Sequence, residues 1–374
     1  MGIIYSGFVI VLMAQLVLLL FSPRYHQRSR ILHWYYTTIF KPLFSATSTT
    51  NTNNNNNNNN NTNSLFQKCK YYFVPIFYLF LYNYLAFYLF YYKLSQALVK
   101  IGLVGIIESQ VVVPLLLLIP LISGVLCFWY SAKMFSIRAN SYQQLDESVT
   151  ESFSWPYDDL IFFSTNNICS TCEKIKPPRS KHCSICNVCV PFQDHHCIWF
   201  NCCISGTNYK WFYVFLVSNW FILAYGALRL TYIQYGQTKV AIPQYYRNSV
   251  LTLIILCFCF MILLSWFLYT QWELVKEGMT TNECDKWYTV HELIEDKLLI
   301  KSTKSGKYYE RYNNAKINSS NNNTKDAYGI SLNPNDNKIY NLENMFEIVQ
   351  SPYEITNIYD KGSFWENFKE RMNY

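Results

Sequence analysis

The sequence predicts an α-helical polytopic membrane protein of about five transmembrane helices, carrying one small cysteine-rich domain on its cytosolic side. Three observations predict it. Half of the 374 residues are hydrophobic, 18% are aromatic and only 15% are charged, which is apolar for a soluble chain of this size. The apolar residues gather into runs of about twenty, the length that crosses a bilayer. Eight of the 13 cysteines and three of the six histidines fall between Cys169 and Trp211. The net charge of +7 is modest. It does not argue for nucleic acid, and it suits loops that face an anionic membrane surface.

Taken in order, residues 1–21 form the first span, whose apolar core Ile3–Phe21 has neither the basic start nor the small-residue cleavage site of a signal peptide. Residues 22–70 are a basic loop ending in the run Asn53–Asn61, a low-complexity spacer that cannot bury a core. Residues 71–92, rich in Tyr, Phe and Leu, form the second span, and 93–110 a short loop. The third span, 111–130, contains Pro114 and Pro120, which are expected to kink it. Glu108 is expected to reach the interface. Residues 131–210 hold the cysteine-rich domain, with its core at 169–211. Spans four and five, 211–235 and 250–269, flank the loop 236–249. Arg229 is expected to snorkel, and Cys127, Cys257 and Cys259 read as small buried hydrophobes. Residues 270–374 form the tail, within which the Asn- and Lys-rich stretch 301–340 is expected to be disordered.

Charge chooses the orientation. Loops 22–70 and 131–210 carry Arg24, Arg28, Arg30, Lys41, Lys68, Lys70, Lys133, Arg138, Lys174, Lys176, Arg179, Lys181 and Lys210. Loops 93–110 and 236–249 carry only Lys93, Lys100, Lys239 and Arg247. Positive residues stay inside, so the first pair of loops and the tail are cytosolic. Sequons at Asn60 and Asn322 are then unglycosylated. The cysteines lie in a reducing compartment, where bound zinc and free thiols persist and disulfides do not.

The cysteine spacing is that of zinc ligands: Cys169-x2-Cys172, His182-Cys183-x2-Cys186-x2-Cys189, then His196 and Cys203. Two Cys3His sites consume six cysteines and two histidines. Cys197, Cys202 and one of the neighbours His195 and His196 are left over. Within Asp194-His195-His196-Cys197, a carboxylate, an imidazole and a thiol therefore stand together as the makings of an activated nucleophile.

These four residues, followed by Ile198, Trp199 and Asn201 behind the cysteine-rich run, resemble the DHHC protein S-acyltransferases. The resemblance implies a zinc-ribbon-like β-hairpin domain with two structural Zn2+ ions. One would take Cys169, Cys172, His182 and Cys189, the other Cys183, Cys186, His196 and Cys203. It implies Cys197 as the nucleophile that carries the acyl group, His195 as its base and Asp194 as the residue orienting His195. Thr280-Thr281-Asn282-Glu283 is similar to the family's TTxE motif, which packs near the catalytic domain, and Asn357–Gly362 to its C-terminal aromatic motif, which braces spans and tail. The surrounding wording is most similar to a fungal, spore-wall-formation-type subgroup. That implies an endoplasmic reticulum membrane, palmitoyl-CoA as acyl donor, and SNAREs bearing juxtamembrane cysteines as acceptors.

The chain departs from the family pattern at Cys202, where Asn is usual, at Ser205, where Gly is usual, and at Ile198, where Pro is common. Cys202 reads as a partly buried spare thiol. Ser205 lacks glycine's tolerance of positive φ and leaves that turn to Gly206. Arg179 and Lys181 are candidates for coenzyme A contacts by charge alone. Two other classes explain less. A zinc module of ubiquitin-ligase type would make Cys197 dispensable. A channel or transporter would call for paired ionisable groups within the spans, where Arg229 stands nearly alone.

Overall fold

The computed structural model describes residues 18, 30–40, 72–134, 155–158, 161–163, 167–236, 244–312, 328–332, 339–341 and 346–373. The expected first span, apart from residue 18, the asparagine run and both sequons lie outside them. Among the described residues four helices are long and apolar enough to cross a membrane: α1 (Tyr72–Lys100), α2 (Glu108–Trp129), α3 (Tyr209–Gly236) and α4 (Tyr246–Lys276). The chain is a multi-pass membrane protein. Phe73, Phe80, Ile122, Val125, Leu228 and Ile262 on these helices are exposed, the pattern of surfaces that meet lipid tails rather than water. α2 stays helical through Pro120.

Two compact units divide the chain. The first comprises Met1–Val125, Ile198–Asn201 and Tyr213–Leu268. Its core is aliphatic, built from Leu94, Leu98, Val104, Leu230, Ile233, Val250 and Leu253. Arg229 has a partner within this unit. Its Nε and Nη2 donate to the two carboxylate oxygens of Glu108 at 2.6 and 2.7 Å, and Tyr225 Oη donates to the same carboxylate at 2.6 Å. A bidentate pair satisfies both charges locally, so neither side chain has to reach water. Arg229 is thus paired, contrary to its isolated look in the sequence.

Close helix contact in this unit depends on Gly226, where an added Cβ would lie 2.9 Å from Cys257 Sγ. Gly226→Val is expected to force the helices apart at a cost of about 1–3 kcal/mol. Thermal unfolding in detergent checks this, and an unchanged midpoint would refute the close contact.

The second unit comprises Leu126–Cys197, Cys202–Phe212 and Tyr269–Tyr374. Strands β1 (Lys181–Cys183) and β2 (Val188–Val190) form one antiparallel hairpin, and β3 (Gln193–Cys197) and β4 (Cys202–Ser205) a second. Helix α5 (Thr281–Glu295) follows α4. Next comes a five-stranded antiparallel sheet ordered β8-β7-β6-β5-β9, from β5 (Leu299–Ser302), β6 (Tyr308–Tyr312), β7 (Tyr328–Ser331), β8 (Ile339–Asn341) and β9 (Phe346–Ile348). Helix α6 (Phe364–Met372) ends the described chain.

Within the stretch 301–340, the described residues 301–312, 328–332 and 339–340 contribute strands and turns contrary to the expected disorder, while 313–327 and 333–338 lie outside the described residues. Leu299 and Ile300 on β5 and Tyr308 and Tyr309 on β6 are buried, and aromatic and β-branched residues favour such half-buried surfaces. Asn and Lys dominate the composition of the stretch as a whole and hide strands of three to five residues.

Candidate active site and metal-ligand clusters

The eight expected ligands come together in two groups, Cys169–Cys172–His182–Cys189 and Cys183–Cys186–His196–Cys203, with the ligand atoms of each within 4.8 Å of one another. Edges of the groups can be compared with a zinc tetrahedron. Bond lengths near 2.3 Å to sulfur and 2.0 Å to nitrogen give edges of about 3.8 Å between sulfurs and about 3.5 Å from sulfur to nitrogen. Cys186 Sγ lies 3.8 Å from Cys203 Sγ and 3.4 Å from His196 Nδ1. Cys172 Sγ lies 3.3 Å from His182 Nδ1. The donor sets fit zinc.

Each Cys-x2-Cys loop is built alike. The N–H of the second cysteine donates to the sulfur of the first at 3.4 Å, in both Cys172→Cys169 and Cys186→Cys183. The following residue, Glu173 or Asn187, takes positive φ to close the turn.

Strand geometry separates the two adjacent histidines. Successive side chains of a strand point to opposite faces. On β3 this sends His196 to the second cluster, and His195 and Cys197 together to the other face. His195 pairs with Ile204, His196 with Cys203 and Cys197 with Cys202. The register slips between Gln193 and His195, a bulge that re-aims Asp194. His195 Nδ1 donates to Asp194 Oδ2 at 2.5 Å. Cys197, on the same face of β3, interacts with the ring and favours its charged form. Burial pulls the His195 imidazole down, but the Asp194 and Cys197 interactions outweigh it and raise it to about 10. Phe212 packs edge-on against the ring at 5.7 Å.

Asp194 is buried and fully engaged. The Thr281 N–H donates to Oδ1 at 2.7 Å, and Thr281 Oγ1 to Oδ2 at 3.0 Å. Burial alone would raise its carboxyl, but His195, the charge of Arg371 and the Thr281 N–H together hold it below the ordinary carboxylate range. Thr281 is the first residue of α5, so Asp194 also receives the positive end of that helix dipole. The sequence Thr280-Thr281-Asn282-Glu283 thus does two jobs. Thr280 and Glu283 form a capping box at 3.2 and 2.9 Å, while Thr281 holds the Asp194 carboxylate.

Arg179 corrects a second expectation. It is 1% exposed and has no free face for a soluble donor. Its Nε and Nη2 donate to Glu283 at 2.7 and 2.6 Å, and Nη2 also donates to the Gly278 carbonyl at 2.8 Å. Its guanidinium lies 4.4 Å from the Phe192 ring centre and 4.5 Å from that of Tyr359. Tyr359, in the C-terminal aromatic motif, donates to the Pro156 carbonyl at 3.2 Å. Asn357 donates to the carbonyl of Glu277 at 2.9 Å, just beyond α4. Lys181 is exposed. Nearby Lys286, drawn down to about 8 by burial, interacts with the charges of Lys181 and Lys176 and lies 4.0 Å from the Phe163 ring centre.

The family departures have plain outcomes. Ser205 belongs to β4 and neither it nor Gly206 takes positive φ; Asn201 does. Asn208 Oδ1 accepts from the Ser205 N–H at 2.9 Å and holds the bend into α3. Cys202 is wholly buried rather than partly so, and burial, then the nearby Cys197, push its thiol well up. Ile198 belongs to the helical unit. Sequence reasoning missed Thr281 as the partner of Asp194, Arg179 as the partner of Glu283, and Arg371, which donates to the Met279 carbonyl. The carboxylate that Thr281 meets lies 87 residues away in the sequence.

The family model for DHHC palmitoyltransferases matches residues 163–288, the interval that contains both clusters, the Asp194–Cys197 segment and the start of α5. Over nearly the whole chain the protein is similar to Palmitoyltransferase SWF1 of Candida glabrata, 37% identical over 361 residues, covering 96% of this chain and 97% of the relative. The protein of the same name from Saccharomyces cerevisiae is 35% identical over 306 residues, covering 81% and 85%. That from Kluyveromyces lactis is 33% identical over 367 residues, covering 98% of each. Likeness of this extent, with the family model matched across the cysteine-rich region, makes the chain a member of the DHHC palmitoyltransferase family, of the SWF1 type.

Proposed function

We propose that this protein S-palmitoyltransferase takes its acyl group from palmitoyl-CoA and holds it as a thioester on Cys197 before passing it to a protein thiol. The single observation that carries this reading is the chain Asp194–His195–Cys197 on the face of β3 that the metal cluster does not use. Cys197 gives its proton to His195 Nε2, and the thiolate adds to the thioester carbonyl of the donor. Asp194 holds the imidazolium by Nδ1 and fixes its tautomer. As the carbon–sulfur bond to coenzyme A breaks, the leaving thiolate takes the proton from His195. The second half repeats the exchange with the acceptor thiol, thioester for thioester, with no external energy source.

Two zinc ions would be held by the eight ligands, four to each, and would supply structural cross-links rather than chemistry. Lys176, Lys181 and Lys286 offer positive charge for the phosphates of coenzyme A. Ile198–Asn201, directly after Cys197, packs among span aromatics, with Trp199 6.3 Å from Tyr78 and Phe200 4.8 Å from Phe215. The resemblance to the SNARE-directed fungal subgroup and the positive charge of the loops support the rest of the reading: membrane-proximal cysteines of SNAREs as acceptors, the endoplasmic reticulum as the membrane and the active site in the cytosol.

Intact mass of the purified protein after exposure to palmitoyl-CoA tests the reading. The expected result is a palmitoyl adduct that neutral hydroxylamine removes, present in wild type and absent from Cys197→Ala, with both zinc ions retained in each. An adduct that persists in Cys197→Ala would move the chemistry to another cysteine. No adduct in zinc-replete wild type would overturn acyl transfer through the enzyme.

A further inference from the structure

The face of β3 that carries Cys197 holds a second thiol which the transfer reaction does not use. Cys202 stands directly opposite Cys197 in the antiparallel register. Opposed residues of such a pair have Cα atoms about 4.5–5.5 Å apart, inside the roughly 4.4–6.8 Å that a disulfide spans, and their side chains share one face. Cys197 is 5% exposed and Cys202 fully buried. The neighbouring rung, His196 opposite Cys203, contributes two ligands to the second metal cluster. The rung is therefore pinned on one side by metal ligands and on the other by the tight connection Ile198–Asn201. Little conformational freedom remains to be lost when the two sulfurs join.

A third thiol, Cys127, is fully buried in the same unit. Asn208 Nδ2 donates to the Cys127 and Cys203 carbonyls, each at 3.0 Å. Only Cys202 has a strand register that faces it to Cys197.

We infer that Cys197 and Cys202 form a reversible oxidation site, a cross-strand dithiol that peroxide closes to a disulfide and a dithiol reductant reopens. In the first step the Cys197 sulfur attacks one oxygen of hydrogen peroxide. A sulfur–oxygen bond forms, the oxygen–oxygen bond breaks, and the hydroxide that leaves takes the thiol proton as water. In the second, the Cys202 sulfur attacks the sulfenic sulfur, and the hydroxide expelled carries off the Cys202 proton as a second water. Two thiols are oxidised and one peroxide is reduced to two waters. The reverse is two successive thiol–disulfide exchanges. Disulfides in reducing compartments are typically transient and regulatory, and this one would be of that kind. Its effect on acylation rests on the reading of Cys197 as the acyl carrier; the bond itself does not.

The test uses full-length, zinc-loaded protein in detergent, exposed to hydrogen peroxide, alkylated and cleaved by chymotrypsin after Trp199 and Phe200 to part the two cysteines. The expected product is a Cys197–Cys202 linked peptide, with zinc content unchanged. Palmitoyl loading should fall in proportion to the linked fraction and return with dithiothreitol. Loading with palmitoyl-CoA before peroxide should prevent the bond. Unoxidised Cys202→Ala should load as wild type does, but after peroxide its loss should no longer be reversed by dithiothreitol, because Cys197 proceeds to the sulfinic acid. Cys127→Ala should still form the linked peptide. Cys197 found linked to Cys127, disulfides among zinc ligands with metal released, or both thiols left alkylated would each overturn the proposal. A Cys197–Cys202 bond that leaves acyl loading intact would support the dithiol and overturn instead the assignment of Cys197 as carrier.

Discussion

Cys183→Ser is expected to empty the second metal cluster and unfold the hairpin that bears the nucleophile. The four groups of that cluster come from β1, the β1–β2 turn, β3 and β4. The local apolar cluster is small, with Ala132 and Val190 alongside the ligands Cys183 and Cys203 and with Ile185, Cys186 and Val188 packed against it. Metal binding in comparable small sites is worth about 10–16 kcal/mol, more than most domains have in reserve. Zinc per chain should fall from two to at most one, proteolysis should cut within 181–205, and palmitoyl loading should vanish. Cys197→Ala, which touches neither cluster, should keep two zincs and resist the protease. A Cys183→Ser protein with its zinc and activity intact would show the ligand assignment to be wrong.

Arg179→Met should cost about 3–5 kcal/mol, because it strands the Glu283 carboxylate, 2% exposed, without its principal cation. Arg179→Lys should not rescue it. Two nitrogens of one planar fork meet the two Glu283 oxygens, and one of them also reaches the Gly278 carbonyl, which a single ammonium cannot reproduce. Gly278 is itself a position that only glycine fits. It takes φ of +63°, and a Cβ there would lie 2.7 Å from Asp360 Cα. Adding Glu283→Gln to Arg179→Met removes the buried charge and should recover part of the loss, a coupling that a double-mutant cycle measures by thermal unfolding in detergent. Acyl loading should fall in the Arg179→Met protein too, because α5 presents Thr281 to Asp194 from the same helix start. A double variant whose loss equals the sum of the two single-variant losses would show that the pair is not coupled.

The length and polarity of its runs made the sequence legible as a membrane protein, since hydrocarbon solvent demands about twenty apolar residues per helix whatever their neighbours. The ligand arithmetic was legible too, because Cys-x2-Cys spacing is local chemistry. The count left His195 and His196 equivalent. The one-residue offset along β3, with the opposite faces of a strand, divides them, and only the paired hairpin supplies that division. Glu108 and Arg229 illustrate the same limit: each looked solitary in sequence, and 121 residues separate the two halves of one ion pair. The strands of 299–348 escaped because short segments are decided by their sheet partners more than by their own composition. Composition, spacing and charge thus determined the class, the orientation expected from the loops, and the chemical groups available. Which carboxylate meets which helix, which arginine is consumed in the core, and that Cys202 stands across from Cys197 were decided by tertiary structure, because those pairings depend on long-range register that no local pattern encodes.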